Sequence, residues 1–377
     1  MNSRGADASS LRQWNELAVL RALHSAEGAS GDGLRVSELG QLTGLAHVTI
    51  AQALQNLQQN GWVAEIGPVI AGRGRPARLY RPASPAGSTL GLDVGAHSVR
   101  AVRCTLDGKE LARAEVLLAA ESSTRERHRA VHEVIRDTAA ATHTGIPWAT
   151  RLAVGGTLGE DGTVHESVAI PEWDGTRPAE LFADLLPGRV NVVNDIHAAC
   201  RAELSIGAAR GAQEALFVHL GRRPTLGLVV GGKVRPGAHG LAGDLSRHAT
   251  FSPANNSGEP SWARGHLNQP DPTAAALQAC LEGDTHTIAL IRSFVEDLTP
   301  ALAAVVAALD PEVVVLAGAM TRVAPAFHDV LIDGLTAQLV DPPRIALSGT
   351  DQFATALGAA LLAIRDVEDD LLGAQRT

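Results

Sequence analysis

Leu45-Ala-His-Val-Thr-Ile-Ala-Gln-Ala-Leu-Gln-Asn-Leu-Gln-Gln-Asn-Gly-Trp62, continued by Ala71-Gly-Arg-Gly-Arg-Pro-Ala-Arg-Leu-Tyr-Arg-Pro82, is the stretch on which the reading of this chain turns. In its first half Ile50, Leu54 and Leu57 recur at i, i+4 and i+7, one apolar stripe of a helix, and His47, Thr49, Gln52 and Asn56 fall on other faces. Gly61 suits the left-handed residue that ends a helix. Behind it come Arg73, Arg75, Arg78 and Arg81, with no acid between Gly67 and Arg81. A polar, uncharged helix face followed by a basic hairpin loosened by glycine is the make-up of a winged helix-turn-helix. Side chains near such a helix's start reach base edges in the major groove, and arginines on a narrow wing grip phosphates or enter the minor groove. His47, Thr49, Gln52 and Asn56 are therefore the expected base readers, and Arg73, Arg75 and Arg78 the expected grip. The bland alternative, an amphipathic helix beside a solvated basic loop, is disfavoured by Gly-Arg-Gly-Arg-Pro following the helix.

Outward from this stretch, Leu11, Leu17, Val19, Leu20 and Leu23 give a first helix over 11–26, and Ser37 to Leu42 a short second one. Thr43-Gly44 turns into the third, where Ala46 stands at the position a Ser or Asn cap would favour. The DNA-reading domain thus spans 11–82, and Ala83-Ser-Pro-Ala-Gly-Ser88 reads as a linker over 83–88. The 377 residues carry a net charge of −9. Yet before residue 85 Arg4, Arg12, Arg21, Arg35 and the four wing arginines outnumber Asp7, Glu16, Glu27, Asp32, Glu38 and Glu65. A mildly basic front on an acidic body fits a local nucleic-acid footprint. Cys104, Cys200 and Cys280 form no Cys-x-x-Cys pair, which argues against a disulfide framework or a zinc site. The N-terminus lacks an apolar core, and no run of about 18 apolar residues occurs, so a cytoplasmic protein without a membrane partner is expected.

Past the linker, strands alternate with helices. Thr89 to Gly95 and Ser98 to Leu106 form strands, Asp107-Gly108 turns into a third strand, and 125–142 is an amphipathic helix. Strands at 151–154 and 190–193, a helix over 178–186, and a helix opening at Asn194-Asp195 follow. Farther on, helices are expected at 272–283, 288–309, 325–339 and 355–363, with a strand at 313–316 and an acidic tail, Asp366-Val-Glu-Asp-Asp370. The pattern demands an α/β architecture with a mixed sheet covered by helices.

Leu92-Asp-Val-Gly95, Asn191-Val-Val-Asn-Asp195, the glycine-rich Gly231 to Asp244 and Asp310-Pro-Glu-Val-Val-Val-Leu-Ala-Gly318, in that order and spacing, resemble the ROK family (repressor, open reading frame, kinase). The resemblance implies an α/β chain in which an N-terminal winged helix-turn-helix precedes an actin-like (ribonuclease H-like) two-lobed sugar-kinase fold. The first lobe would span 89–194, completed by the C-terminal helix over 355–377, and the second lobe, carrying effector binding and dimerisation, 195–354. Sugar contacts would come from Asn194 and Asp195, whose Asp is the general base of the kinases, and from Asp244-Leu-Ser-Arg-His248 in place of a Glu-x-Gly-His motif. There Arg247 takes the register of the His unless a one-residue slip uses His248; Asp244 and His248 could equally be remnants packed at a lobe interface. Gly156, where the family has a Pro-Gly pair, is a turn or a further contact, and Asn194-Asp195 could equally be a helix cap.

This chain also departs from the family. The phosphate turns Asp-x-Gly-Gly-Thr and Gly-Thr-Gly read here Asp93-Val-Gly-Ala-His97 and Gly221-Arg-Arg-Pro-Thr-Leu-Gly227, and Pro224 has no N–H to offer an anion. The span Phe251 to Pro272, where the family's zinc cysteines would lie, contains no cysteine and reads as a long polar loop. No cofactor, no metal and no catalysis are expected. The expected protein is a dimeric repressor, or a dimer of dimers, that binds a double-stranded operator and responds to a sugar or sugar derivative. Two rivals stand: a sugar kinase with an accessory DNA domain, and a ligand-independent DNA binder that uses its kinase-like body as a dimer scaffold.

Overall fold

The computed structural model describes residues 11–12, 14–23, 33–69, 77–83, 87–119, 122–142, 144–167, 169–221, 224–245 and 259–373. They form two compact units: residues 1–155, 162–193 and 359–377 in one, 156–161 and 194–358 in the other. The N-terminal module thus clusters with the first lobe, and the short segment after Gly155 belongs to the second unit.

The first unit begins with helix α1 (residues 14–23), α2 (Val36–Thr43) and α3 (His47–Gln59). Gly44, at φ 70°, makes the left-handed turn between α2 and α3 and donates its N–H to the Gly40 carbonyl. Strands β1 (Val63–Val69) and β2 (Ala77–Pro82) pair antiparallel, and Leu34 bridges to Tyr80 through two backbone hydrogen bonds of 2.8 Å. Val19, Leu20 and Leu23 of α1, Leu39 of α2, Ile50, Ala53, Leu54 and Leu57 of α3, and Val63 and Tyr80 of the hairpin share one core. Each leucine or isoleucine fully buried there contributes about 1.5–3 kcal/mol.

Next come β3 (Ser88–Val94), β4 (Ser98–Thr105), β5 (Glu110–Leu117), helix α4 (Thr124–Ala140) and β6 (Ala149–Val154). Two short strands follow, β7 (Thr157–Leu158, in the second unit) and β8 (Val164–Glu166), then α5 (Pro178–Leu181) and β9 (Arg189–Asn194). The sheet order is β5-β4-β3-β6-β9, antiparallel from β3 outward through β4 to β5 and parallel between β3 and β6. The central β3 is almost wholly buried, as a strand covered on both faces must be. α4 starts with a reciprocal Ser123–Glu126 capping box. The helix expected over 178–186 is only one turn long; its continuation through Leu186 is held by tight turns.

The second unit contains α6 (Asp195–Ile206), β10 (Ala215–His219), β11 (Thr225–Val230), β12 (Lys233–Val234), α7 (Pro272–Leu281), α8 (Thr285–Leu309), β13 (Val313–Ala317), α9 (His328–Thr336) and β14 (Arg344–Leu347). Its sheet, β12-β11-β10-β13-β14, repeats the pattern of the first, with two antiparallel neighbours on one side of β10 and parallel β13 and β14 on the other. Each lobe is therefore one copy of the same five-stranded plan. Buried Glu203 of α6 ties this unit together, its carboxylate accepting from the backbone N–H of Ala208, Gly349 and Thr350 and from the hydroxyls of Ser348 and Thr350.

Three further expectations are corrected. The span from Phe251 to Pro272 is not loop throughout, since Ser261–His266 is a 3-10 helix that buries Trp262 and Ala263; residues 251–258 lie outside the described ones. The stretch 325–339 divides into a 3-10 segment, Ala319–Ala326, that ends at Pro325-Ala326, and α9. The acidic run 366–370 is no tail: it is part of α10 (Ala354–Gly373), and its Asp366, Glu368 and Asp370 pair with arginines.

Candidate functional site

Helix α3 has an inward face of Ile50, Ala53, Leu54 and Leu57, all buried. The outward stripe is Val48, Ala51, Gln52, Gln55 and Gln59, with His47 exposed beside it. Val48 is 81% exposed on this face. Val48 and Gln55 stand on the same exposed face as Gln52, as their spacing with 51, 52 and 59 in the sequence indicates. Thr49 is half-buried. Gln52 donates to the Asn56 side-chain oxygen at 3.1 Å, and Asn56 donates to Glu16 of α1 at 2.6 Å, so the Asn56 amide is turned into the module. Ala46 provides no side-chain cap, leaving the first N–H groups of α3 unpaired by one. On β2, Arg78 donates to Glu65 of β1 at 3.1 Å across an exposed pair. Arg73 and Arg75 lie outside the described residues.

In the second unit, β9 passes directly into α6 at Asn194. The Asn194 side-chain oxygen caps α6 by accepting from the Ile196 and His197 N–H groups, while its amide donates to the Gly156 carbonyl at 3.0 Å. One side chain thus caps α6, one of the two roles the sequence left open, and also ties the helix start to the Gly156 segment. Asp195, first residue of α6, accepts from the Ile196 N–H at 2.8 Å, and burial pushes its carboxyl up to about 6 despite that bond. A carboxyl poised there suits either a hydroxyl acceptor or a general base. The loop carrying Asp244 approaches the same segment from another side, since a Cβ at Gly240 would lie 2.9 Å from the Leu158 carbonyl. Its far end is pinned to β11 by the Leu226 N–H to Gly243 carbonyl bond at 3.0 Å. Gly156, Asn194 and Asp195 are joined through hydrogen bonds; Asp244 is exposed on its neighbouring loop. His248, like Arg222, Arg223 and Arg247, lies outside the described residues.

The segments at the positions of the family's phosphate turns, and the one around Gly318, make internal contacts. In the first unit, Arg100 sits opposite Asp93 across β3 and β4 at 3.6 Å and also donates to Glu115 at 2.7 Å. The Ala96 carbonyl accepts from buried Arg127 at 3.2 Å. In the second unit, the Met320 N–H that follows Gly318 donates to the Leu220 carbonyl at 3.1 Å rather than pointing into open space. His219, at the end of β10, folds over Gly221, where a Cβ would lie 2.8 Å from its ring nitrogen, and burial lowers the imidazole to about 4. Among the described residues no group of three or more His, Cys, Asp or Glu is placed to hold a metal ion, and no helix is long and apolar enough to cross a membrane.

The family model described as "ROK family" matches residues 89–259 and 262–366. The chain belongs to the ROK family. Among curated proteins it is similar to the N-acetylgalactosamine kinase AgaK of Shewanella sp. (strain ANA-3), 27% identical over 241 residues, which is 56% of this chain and 76% of that protein. Among solved structures it resembles a ROK family transcriptional regulator, a homologue of the E. coli MLC protein, at TM-score 0.70 and 16% identity, covering 96% of this chain and 99% of that one. It also resembles a ROK hexokinase from Thermus thermophilus at TM-score 0.60 and 24% identity, covering 75% of this chain and 99% of that one. These likenesses show the fold: the actin-like, two-lobed, mixed α/β arrangement of sugar kinases, which this family shares between kinases and regulators.

Proposed function

We propose that this ROK protein is a DNA-binding transcriptional regulator acting as a repressor, with α1 to β2 as a winged helix-turn-helix. The observation that carries the reading is the exposed, acid-free stripe of α3 beside a basic hairpin on a family body whose first phosphate turn is occupied by the Asp93–Arg100 pair. Val48, Gln52 and Gln55, with His47 and Thr49 at the start of the helix, are the proposed base-reading set. Glutamine pairs with adenine edges, and the Val48 methyls fit thymine methyls. Asn56 supports the helix from behind. The unpaired first N–H groups of α3 suit a backbone phosphate, and Arg73, Arg75 and Arg78 provide the grip. A further support is that the regulator's fold matches 96% of this chain whereas the hexokinase matches 75%.

In this reading Gly156, Asn194, Asp195, Asp244 and His248 hold a sugar or sugar derivative, and two copies of the chain present their α3 helices to a pseudo-palindromic operator. The decisive experiment is fluorescence anisotropy on DNA from upstream of the protein's own gene, titrated with salt and then with sugars and sugar phosphates. Selective, salt-dependent binding released by one sugar is expected; absence of selective binding overturns the proposal. A second reading, a sugar kinase, is favoured by one observation: Asp195, raised to about 6, is a serviceable general base. Turnover of ATP with any hexose would establish it.

A further inference from the structure

The acidic run of α10 has no part in the function proposed above, yet it is bound on three sides within the first unit. Arg151 of β6 donates from Nε and Nη2 to the two oxygens of Asp366 at 2.6 and 2.7 Å, on a carboxylate that is almost fully buried. Arg189 of β9 donates to Asp370. Arg21 of α1, on the N-terminal module, donates to Glu368. Beside that last pair, Leu17 and Leu20 of α1 line one small apolar cavity together with Leu106, Ile364 and Val367.

A second fastening lies at the other end of the module. Trp62, just after α3, meets Trp148 edge to face at 4.5 Å and 74°, and both pack on the cluster of Leu106, Ala149, Ala363 and Val367. The Trp148 ring lies against Gly87, where a Cβ would come within 2.8 Å of it, so the residue leading into β3 shares this joint.

The start of α10 belongs to the second unit. There Gly358 lies so close to α6 that a Cβ would run into the Ala198 carbonyl. Ala198 is one turn from Asn194-Asp195, the start of the same helix. Backbones in such contact have no slack, so a shift of α6 displaces α10. From Gly358 to Glu368 α10 runs about 15 Å as one continuous helix.

We propose that α10 is the lever by which a sugar at Asn194-Asp195 sets the pose of the DNA-reading module, with Arg21–Glu368 and Trp62–Trp148 as its positioning pairs. The inference rests on the reading of α3 as the DNA-contacting helix. Neither pair touches DNA or sugar; each fixes the module so that movement of α10 reaches α3.

The test uses the full-length protein, the operator fragment, and a panel of glucose, xylose, N-acetylglucosamine, N-acetylgalactosamine, N-acetylmannosamine and their 6-phosphates. Arg21→Glu, Glu368→Arg and the double exchange are compared with wild type for operator affinity with and without each sugar. The sugar-induced rise in melting temperature reports whether ligand still binds. In wild type one sugar changes operator affinity by roughly tenfold. Each single reversal should abolish most of that change and leave the sugar-induced melting shift intact, and the double exchange should restore it. Equal sugar responses in wild type and single variants would overturn the lever, as would a wild-type operator affinity indifferent to every sugar. Failure of wild type to bind DNA selectively would instead remove the DNA-reading proposal, and the lever with it.

Discussion

Asp195 carries the perturbed carboxyl at the start of α6. Burial holds it at about 6, above the ordinary 3.8, so its ionisation opposes folding. The stabilisation that goes with the protonated form is complete below about 3.8 and is lost as pH rises through about 6. Asp195→Asn removes that dependence while keeping an oxygen to accept from the Ile196 N–H. Between pH 5 and pH 7.5 the stability of wild type should therefore fall relative to the variant by about 1 kcal/mol, measured by urea denaturation at each pH. His219, whose imidazole is lowered to about 4, works in the opposite sense but is common to both proteins and cancels in the difference. A sugar hydroxyl donating to Asp195 favours the carboxylate, so sugar affinity should rise over the same interval.

At the scale of the element, α3 separates two residues that its polarity treats alike. Gln52 points outward, and Gln52→Ala should weaken operator binding by about 1–3 kcal/mol without lowering the melting temperature. Asn56 serves the interior: Asn56→Ala leaves the buried Glu16 carboxylate without that donor, a cost of about 1–3 kcal/mol in stability that thermal melting will show. The same opposition of faces governs α10. Its apolar and acidic residues look like a helix followed by a solvated run, yet Asp366 is among the most deeply buried charges of the described residues, and Arg151 meets it with a two-pronged bond.

For the whole molecule, the charge distribution makes a prediction of its own. With a net charge of −9 and a basic excess confined to the front, DNA affinity should depend on salt through the module alone. Arg75→Ala should reduce the slope of log affinity against log salt by about 0.9 and weaken binding similarly on specific and non-specific DNA. An unchanged slope would remove Arg75 from the grip.

The periodicity of Ile50, Leu54 and Leu57, the turn at Gly44 and the alternation of strands with helices after Thr89 were legible in the sequence because they are local: spacing, turn chemistry and burial pattern act over a few residues. The order of four short motifs likewise pointed to the family. Short elements were less legible. β12 and β14 are too brief for a periodic signal and exist through the neighbours they pair with. Only the tertiary structure decided which polar residues face outward, because the side of α3 on which Asn56 finds a partner depends on where α1 brings Glu16, 40 residues earlier in the chain. It likewise decided that Asp93 is neutralised by Arg100 and that the acidic run is a fastening rather than a tail. Such pairings join charges distant in sequence, and composition records the charges but not their partners.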